Sequence, residues 1–242
     1  MKAENGFLPY DIFVFSGSNN GTFFAQEVKK QLGGNIYQIP LVTTKQNVYE
    51  GKRMLVIYPT YAYGIPRIVK HFLKHNTFNY EYRAIITSYG TRTGGSLLEA
   101  KKYCFDYYHS YQSIENFIPL FGNVKDLNAK YETELASINH LINELRDMKL
   151  RPIKGFHFLK PVSLIFYYGR PLVTKLIRNT KDCTKCGLCL KECPTKAIFF
   201  KQGKIKISSR YCELCNRCLN VCQFHGLKFL KHNKRAKTYL HR

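Results

Sequence analysis

The chain has 242 residues, room for one large domain or two smaller ones, and its 45% apolar content excludes a globally disordered protein. Charge is unevenly shared: residues 1–150 hold 17 Lys and Arg against 13 Asp and Glu, whereas residues 151–242 hold 21 against 3. A single uniform module is therefore disfavoured, and the second half is expected to meet a polyanionic or acidic partner.

In chain order, the opening MKAENGFLPYDIF shows neither a long apolar core nor a cleavage site, so no secretory leader is expected. Short apolar runs then alternate with helical patterns. DIFVF (Asp11–Phe15) reads as a strand, Thr22–Leu32 as a helix, and NIYQI and MLVIY as strands. The next helix carries Ile65, Ile68, Val69, Phe72 and Leu73 at the spacing of a core-facing stripe. RAIITSY reads as a strand, SLLEAKKYCFDYY as helical, and SIENFIPL (Ser113–Leu120) as the fifth strand. A last helix places Leu135, Ile138, Leu141, Ile142 and Leu145 on one face. Strands that are apolar nearly throughout and separated by helices predict a parallel sheet covered on both faces. Cys104, within SLLEAKKYCFDYY, reads as a buried small hydrophobe without a role. The longest apolar-aromatic patch, LIFYY at Leu164–Tyr168, is far too short to span a bilayer, and the expectation is a soluble, cytoplasmic protein.

In parallel sheets, ligands bind beyond the carboxyl ends of the strands. Three loops fall there: SGSNNGT (Ser16–Thr22), PTYAYGIP (Pro59–Pro66) and YGTRTGG (Tyr89–Gly95). The first is built of hydroxyls, amides and glycine and enters a helix. Such a loop can hold a phosphate through backbone N–H groups without Lys or Arg. Ser16, Ser18, Asn20 and Thr22 offer side chains, and Asn19 and Gly21 backbone N–H. A Gly/Asn turn into a helix with nothing bound accounts for the same residues. Neither G-x-x-x-x-G-K-[ST] nor G-x-G-x-x-G occurs, so a nucleotide triphosphatase or dinucleotide site is not supported.

The connector over residues 151–180 holds three prolines, aromatic clusters and scattered cations. It reads either as a strap docking the second unit or as a basic-aromatic interfacial patch on anionic lipid. Beyond it lie eight of the nine cysteines, in CTKCGLCLKECP and CELCNRCLNVCQ, both C-x2-C-x2-C-x3-C. Three thiolates two residues apart can converge on one cubane, while the fourth, a helical turn further on, points toward a second. Structural zinc prefers separated Cys pairs, and a disulfide framework needs an oxidising compartment. Between the motifs, AIFFKQGKIKI reads as a hairpin turning at Gln202-Gly203.

Over residues 181–229 these motifs resemble the bacterial two-[4Fe–4S] ferredoxins, and the three strand-end loops over residues 1–150 resemble the flavodoxins. The whole is similar to the branch in which the two are fused. That resemblance implies an α/β flavodoxin-like fold for 1–150, a doubly wound parallel five-stranded sheet. A connector would follow over 151–180, then a small α+β two-[4Fe–4S] ferredoxin-like domain with a basic tail over 181–242. It implies one cluster on Cys183, Cys186, Cys189 and Cys222, and a second on Cys212, Cys215, Cys218 and Cys193. It further implies FMN held by Ser16, Ser18, Asn19, Asn20, Gly21, Thr22, Thr60, Tyr61, Tyr63, Gly64, Tyr89 and Gly90. Tyr61, Tyr63 and Tyr89 would stack on the ring, and the Tyr63-Gly64 peptide would accept a bond from the reduced flavin. Against the family loop S-G-T-G-N-T, Asn19 replaces the second Gly, Gly21 the last Thr, and a Thr follows at 22. The Pro after the fourth Cys is kept as Pro194 but is Gln223 in the second motif.

The expected function is electron transfer between FMN and two [4Fe–4S] clusters, with acidic redox proteins as partners and peripheral membrane contact as an open alternative. A flavin-dependent oxidoreductase using the clusters as a relay is the first rival. A nucleic-acid binder is the second, although no recognition motif accompanies the charge and no specific nucleic acid is expected.

Overall fold

The computed structural model describes residues 8–42, 47–114 and 127–230. Five strands, β1 (Tyr10–Val14), β2 (Gly34–Gln38), β3 (Val48–Pro59), β4 (Thr77–Tyr89) and β5 (Tyr107–Gln112), form one sheet in the order 2-1-3-4-5. Every neighbouring pair is parallel, from Tyr10↔Gly34 at one edge to Tyr89↔Gln112 at the other. This is the flavodoxin-like order, in which the strand sequence reverses between β1 and β3 and leaves a crevice at the carboxyl ends.

Alternate residues of a strand point to opposite faces. Ile12, Val14, Leu55, Ile57, Ala84 and Ile86 therefore enter one core, and Phe13, Phe15, Met54, Val56, Tyr58 and Ile85 the other. The first core is closed by α1 (Asn20–Leu32) with Phe24 and Val28. The second, beside the short α2 (Ile39–Val42), is closed by α3 (Arg67–His75) with Val69, Phe72 and Leu73. Next come α4 (Ser96–Ala100) and α5 (Leu127–Arg146), whose Ile138, Leu141, Ile142 and Leu145 return to the first core. Burial on both faces is why the strands read as continuous apolar runs.

Two sequence expectations change. The fifth strand is Tyr107–Gln112, not Ser113–Leu120; Ser113 and Ile114 follow it in irregular chain, and 115–120 lie outside the described residues. The helix expected through Cys104 ends at Ala100, continues as one 3-10 turn to Tyr103, and stops where Cys104 takes φ 54. Cys104 is exposed rather than buried.

After Arg151 bridges to Tyr107, the connector runs into α6 (Lys160–Thr174) and then β6 (Ile177–Asn179). β6 pairs antiparallel with β9 (Leu227–Phe229). Between them lie α7 (Leu188–Glu192), the hairpin β7 (Ile198–Lys201) and β8 (Lys204–Ile207), and α8 (Arg217–Asn220). The hairpin turns at Gln202 and Gly203, with φ 51 and 68, the two left-handed residues of a type I′ turn.

Candidate functional site: two cysteine loops on the carboxyl edge of the sheet

The two cysteine motifs repeat in backbone as well as in sequence. Left-handed residues fall at matching places: Lys185 and Leu214 before the second Cys, Gly187 and Asn216 after it, and Lys196 and His225 three beyond the fourth. Gly187 and Asn216 then open α7 and α8. The same loop path turns the same backbone groups inward twice. Ala197 N donates to Cys193 Sγ at 3.3 Å, and Gly226 N donates to Cys222 Sγ at 3.1 Å. Leu214 N donates to Cys212 Sγ at 3.4 Å. Such N–H···S bonds hold a thiolate in place and tune the potential of what it ligates.

Cys183, Cys186, Cys189 and Cys222 line one cavity. Gly226 is required beside it, because a Cβ there would stand 2.8 Å from Cys183 Cα. Around Cys218, the thiols of Cys215, Cys212 and Cys193 are the strongest charged neighbours. Cys222 of the second motif thus lies with the first three cysteines, and Cys193 of the first lies near the last three. Among the described residues, no three His, Cys, Asp or Glu side chains close on one point as a single ion requires. A cubane holds its thiolates further apart, at four corners. Burial pushes the free thiol of Cys189 up to about 11 and that of Cys215 up to about 12.

At the sheet's carboxyl edge the structure brings all three loops together. Asn19 takes φ 69, a left-handed conformation that asparagine adopts more readily than most residues, and α1 starts at the next residue. Gly21 N donates to Ser16 Oγ at 3.2 Å. Among the described residues no acceptor meets the N–H of Asn20 or Thr22. Those donors at the helix start suit an anion. Two expected side chains are otherwise committed. Asn20 Nδ2 donates to Ile114 O at 3.0 Å, tying the loop to the end of β5. The Thr60 hydroxyl lies 2.9 Å from Thr87 Oγ1 and 2.8 Å from Ser96 Oγ.

Tyr61 and Gly64 exchange both backbone hydrogen bonds across Ala62 and Tyr63, whose φ values are 44 and 67. This is a type I′ turn made from residues that resist it, a strain characteristic of functional loops. Gly64 is not itself left-handed; it admits Ser163 of α6, which a Cβ would meet at 3.0 Å. Tyr63 O accepts from Gly95 N at 3.2 Å, linking the second and third loops. Tyr89 ends β4, and Gly90 O accepts from Gln112 Nε2 at 2.9 Å. His157 of the connector packs on Gly95, leaving no room there for a Cβ.

The cysteine loops sit directly on this edge. A Cβ at Gly17 would lie 2.6 Å from Cys215 Cβ and 2.9 Å from the Tyr61 hydroxyl. Arg217 Nη1 donates to Gly17 O at 3.2 Å and Asn19 Oδ1 at 2.6 Å, while its Nε donates to Glu192 at 3.1 Å. Glu213, buried between two ligand cysteines, accepts from the Arg67 backbone N–H at 3.1 Å and from Arg67 Nε at 3.0 Å. Arg170 of α6 donates to Cys212 O. Sequence reasoning passed over these clamps. A signal existed: residues 151–242 contain three acids, and two of them, Glu192 and Glu213, are spent here.

Residues 182–226 match the family of 4Fe-4S dicluster domains. The chain fuses a flavodoxin-like domain to a 4Fe-4S dicluster domain. The matched family accounts for the second domain, and the parallel 2-1-3-4-5 sheet for the first. No curated protein matches the chain significantly. Similar solved structures include a candidate flavoprotein from Bacteroides eggerthii (13% identity, 59% of this chain, 99% of that one, TM-score 0.37). Another is the general stress protein 14 of Treponema denticola, solved with FMN (12%, 58% of this chain, 100% of that one, TM-score 0.35). A third is the rubredoxin oxygen:oxidoreductase of Desulfovibrio gigas (15%, 61% of this chain, 37% of that one, TM-score 0.36). Likeness at this level adds nothing to what the strand order shows.

Proposed function

We propose that this is an electron-transfer protein carrying two [4Fe–4S] clusters and one FMN, which exchanges electrons with acidic redox proteins. The observation that supports it best is the contact of Gly17, in the loop suited to a phosphate, with Cys215, in the loop suited to a cluster. Two redox sites in one chain serve exchange between them when their walls touch. When bound, FMN supplies two-electron chemistry that can be divided into the single steps of the clusters.

The residues of the chain have separate tasks in this reading. The first-turn N–H groups of Asn20 and Thr22 bind the phosphate, and Tyr61, Tyr63 and Tyr89 flank the ring. Cys183, Cys186, Cys189 and Cys222 hold the outer cluster, with Cys186 exposed, and Cys193, Cys212, Cys215 and Cys218 the cluster against the sheet domain. Arg217 and Glu213 fix the two sites in register. A groove of about 750 Å³ adjoins the outer site and shares Cys183 with it. Lys175, Arg178, Lys181, Lys185, Lys204 and Lys206 line the groove, and no acid does. An acidic redox protein would be steered to this face, and its binding would weaken steeply with salt.

The test is anaerobic purification followed by acid extraction, with FMN, iron and sulfide counted per chain. One FMN with about eight iron supports the proposal. About eight iron without flavin would reduce the sheet domain to a docking platform for a ferredoxin. Salt-independent association with an acidic partner would remove the steering role of the groove.

A further inference from the structure

α6 carries apolar side chains on two sides, one packed on the protein and one open to solvent. The face turned into the molecule is mixed: Ser163, Arg170 and Thr174, at positions i, i+7 and i+11, are buried there, and Phe166 and Val173 pack partly buried against the second domain's core. Polar atoms of the first three are met there: Ser163 Oγ donates to Lys160 O at 2.9 Å, Thr174 Oγ1 donates to Arg170 O at 2.9 Å, and Arg170 reaches Cys212 O. The opposite stripe is apolar and open to solvent. Ile165, Tyr168 and Leu172, at i, i+3 and i+7, are 73%, 74% and 68% exposed. Upstream the alternation continues: His157 is buried on Gly95 while Phe156 and Phe158 on either side point outward. Between residues 156 and 172, seven large apolar side chains are exposed, a concentration that soluble surfaces avoid.

The charge around this stripe says what covers it. Residues 151–181 contain no Asp or Glu. Lys154 precedes the phenylalanine pair, Lys160 opens α6 and Lys175 follows it, all three exposed. Cations thus sit at the ends of an apolar stripe whose one side-chain polar group is the Tyr168 hydroxyl. A protein partner would need complementary shape and paired hydrogen bonds; a lipid interface needs only an apolar stripe with cations at its borders. With 15 residues, α6 has a length of about 22 Å at ~1.5 Å per residue, too short to cross a bilayer. No helix among the described residues is long and apolar enough to span one.

We propose that α6 and the Phe156–Phe158 turn dock the protein on an anionic lipid surface. Phe156, Phe158, Ile165, Tyr168 and Leu172 enter the boundary between headgroups and acyl chains, and Lys154, Lys160 and Lys175 meet lipid phosphates. The contact does not depend on flavin binding and stands or falls separately from it.

The experiment uses the full chain, purified anaerobically with its clusters, in flotation with vesicles of phosphatidylcholine with and without phosphatidylglycerol. Binding is expected to the anionic vesicles, and Ile165→Glu and Leu172→Glu should each weaken it about tenfold or more. Both positions are exposed, so cluster absorbance should be unchanged in these variants. Because the chain contains no tryptophan, Tyr168→Trp supplies a unique reporter, and its emission should shift to the blue on vesicles. Failure to float with anionic vesicles, the outcome expected if a protein covers this face, overturns the proposal. So does undiminished flotation of the two Glu variants, which would assign binding to cations alone, or an indole emission unmoved by lipid.

Discussion

The two domains of this chain are stable for different reasons. In the first, both faces of the sheet are covered, and residues such as Phe13, Val56, Phe72 and Ile142 are wholly withdrawn from water. In the second, one small cluster of buried residues joins two two-stranded sheets, and Cys189, Cys193 and Cys218 are among its members. The side chains that must hold iron there are also part of the core. A domain of this size buries too little apolar surface to stand on that alone. The first is therefore folded by burial and the second by what its cysteines bind, so metal and fold are one equilibrium in it.

Removing the iron should give the largest effect. Anaerobic chelation should abolish amide-exchange protection at Ile177 and Phe229, where β6 meets β9, and leave β1 and β3 protected. Equal loss in both domains would break the comparison. Phe72→Ala should act in the opposite place, costing the sheet domain about 3–5 kcal/mol in denaturant unfolding while iron per chain is unchanged. Arg67→Leu tests the seam: it removes the ion-pair partner of buried Glu213 and leaves Arg170 as the nearby cation, a loss of about 2 kcal/mol in docking, the scale of a hydrogen bond between charged groups. Faster proteolysis of the connector, with the cluster spectrum intact, is the expected readout.

The smallest effect should be one of pH. Burial, with Lys160 and Lys70 nearby, holds His157 below its ordinary value of 6.5, against the opposing pull of Glu99. Its Nε2 has no partner among the described residues, which suits the neutral ring. The unfolded or undocked connector therefore takes up a proton more readily than the docked one. The contribution of His157 is complete above pH 6.5 and declines as pH falls below it. Connector proteolysis should quicken on acidification, and His157→Phe should flatten that dependence.

What the sequence revealed follows the range of the forces involved. DIFVF, MLVIY and RAIITSY were legible because burial on both faces leaves almost no polar residue in them, and Gln202-Gly203 because a tight turn leaves a local mark. The fifth strand, YYHSYQ, was not. It lies at the sheet edge, mixes aromatic with polar residues, and follows a helical-looking run that ends only where Cys104 turns left-handed. The cysteine spacing carried its own chemistry. The clamps at Arg217 and Glu213 left no pattern because they join residues 198 and 146 positions from their partners. α6 itself was not foreseen: the connector was read as a strap or an interfacial patch, because its three prolines and its apolar residues on two sides leave no single helical stripe.

The pairing of β6 with β9 has a consequence for how such a chain can be assembled. Ile177, where the second domain begins, lies directly across from Phe229, where its described sheet ends. A unit whose entry and exit are adjacent behaves as a cassette: it can be appended or inserted through a single point on a host surface without threading the host chain. The cassette carries its own seam with it, because Glu192, Glu213 and Arg217 lie inside the cysteine motifs themselves. Transplanted to another parallel sheet, it would need from its new host a glycine and a side-chain acceptor at the first strand end, a cation at the start of the third helix, and a preceding helix to bring Arg170 to Cys212.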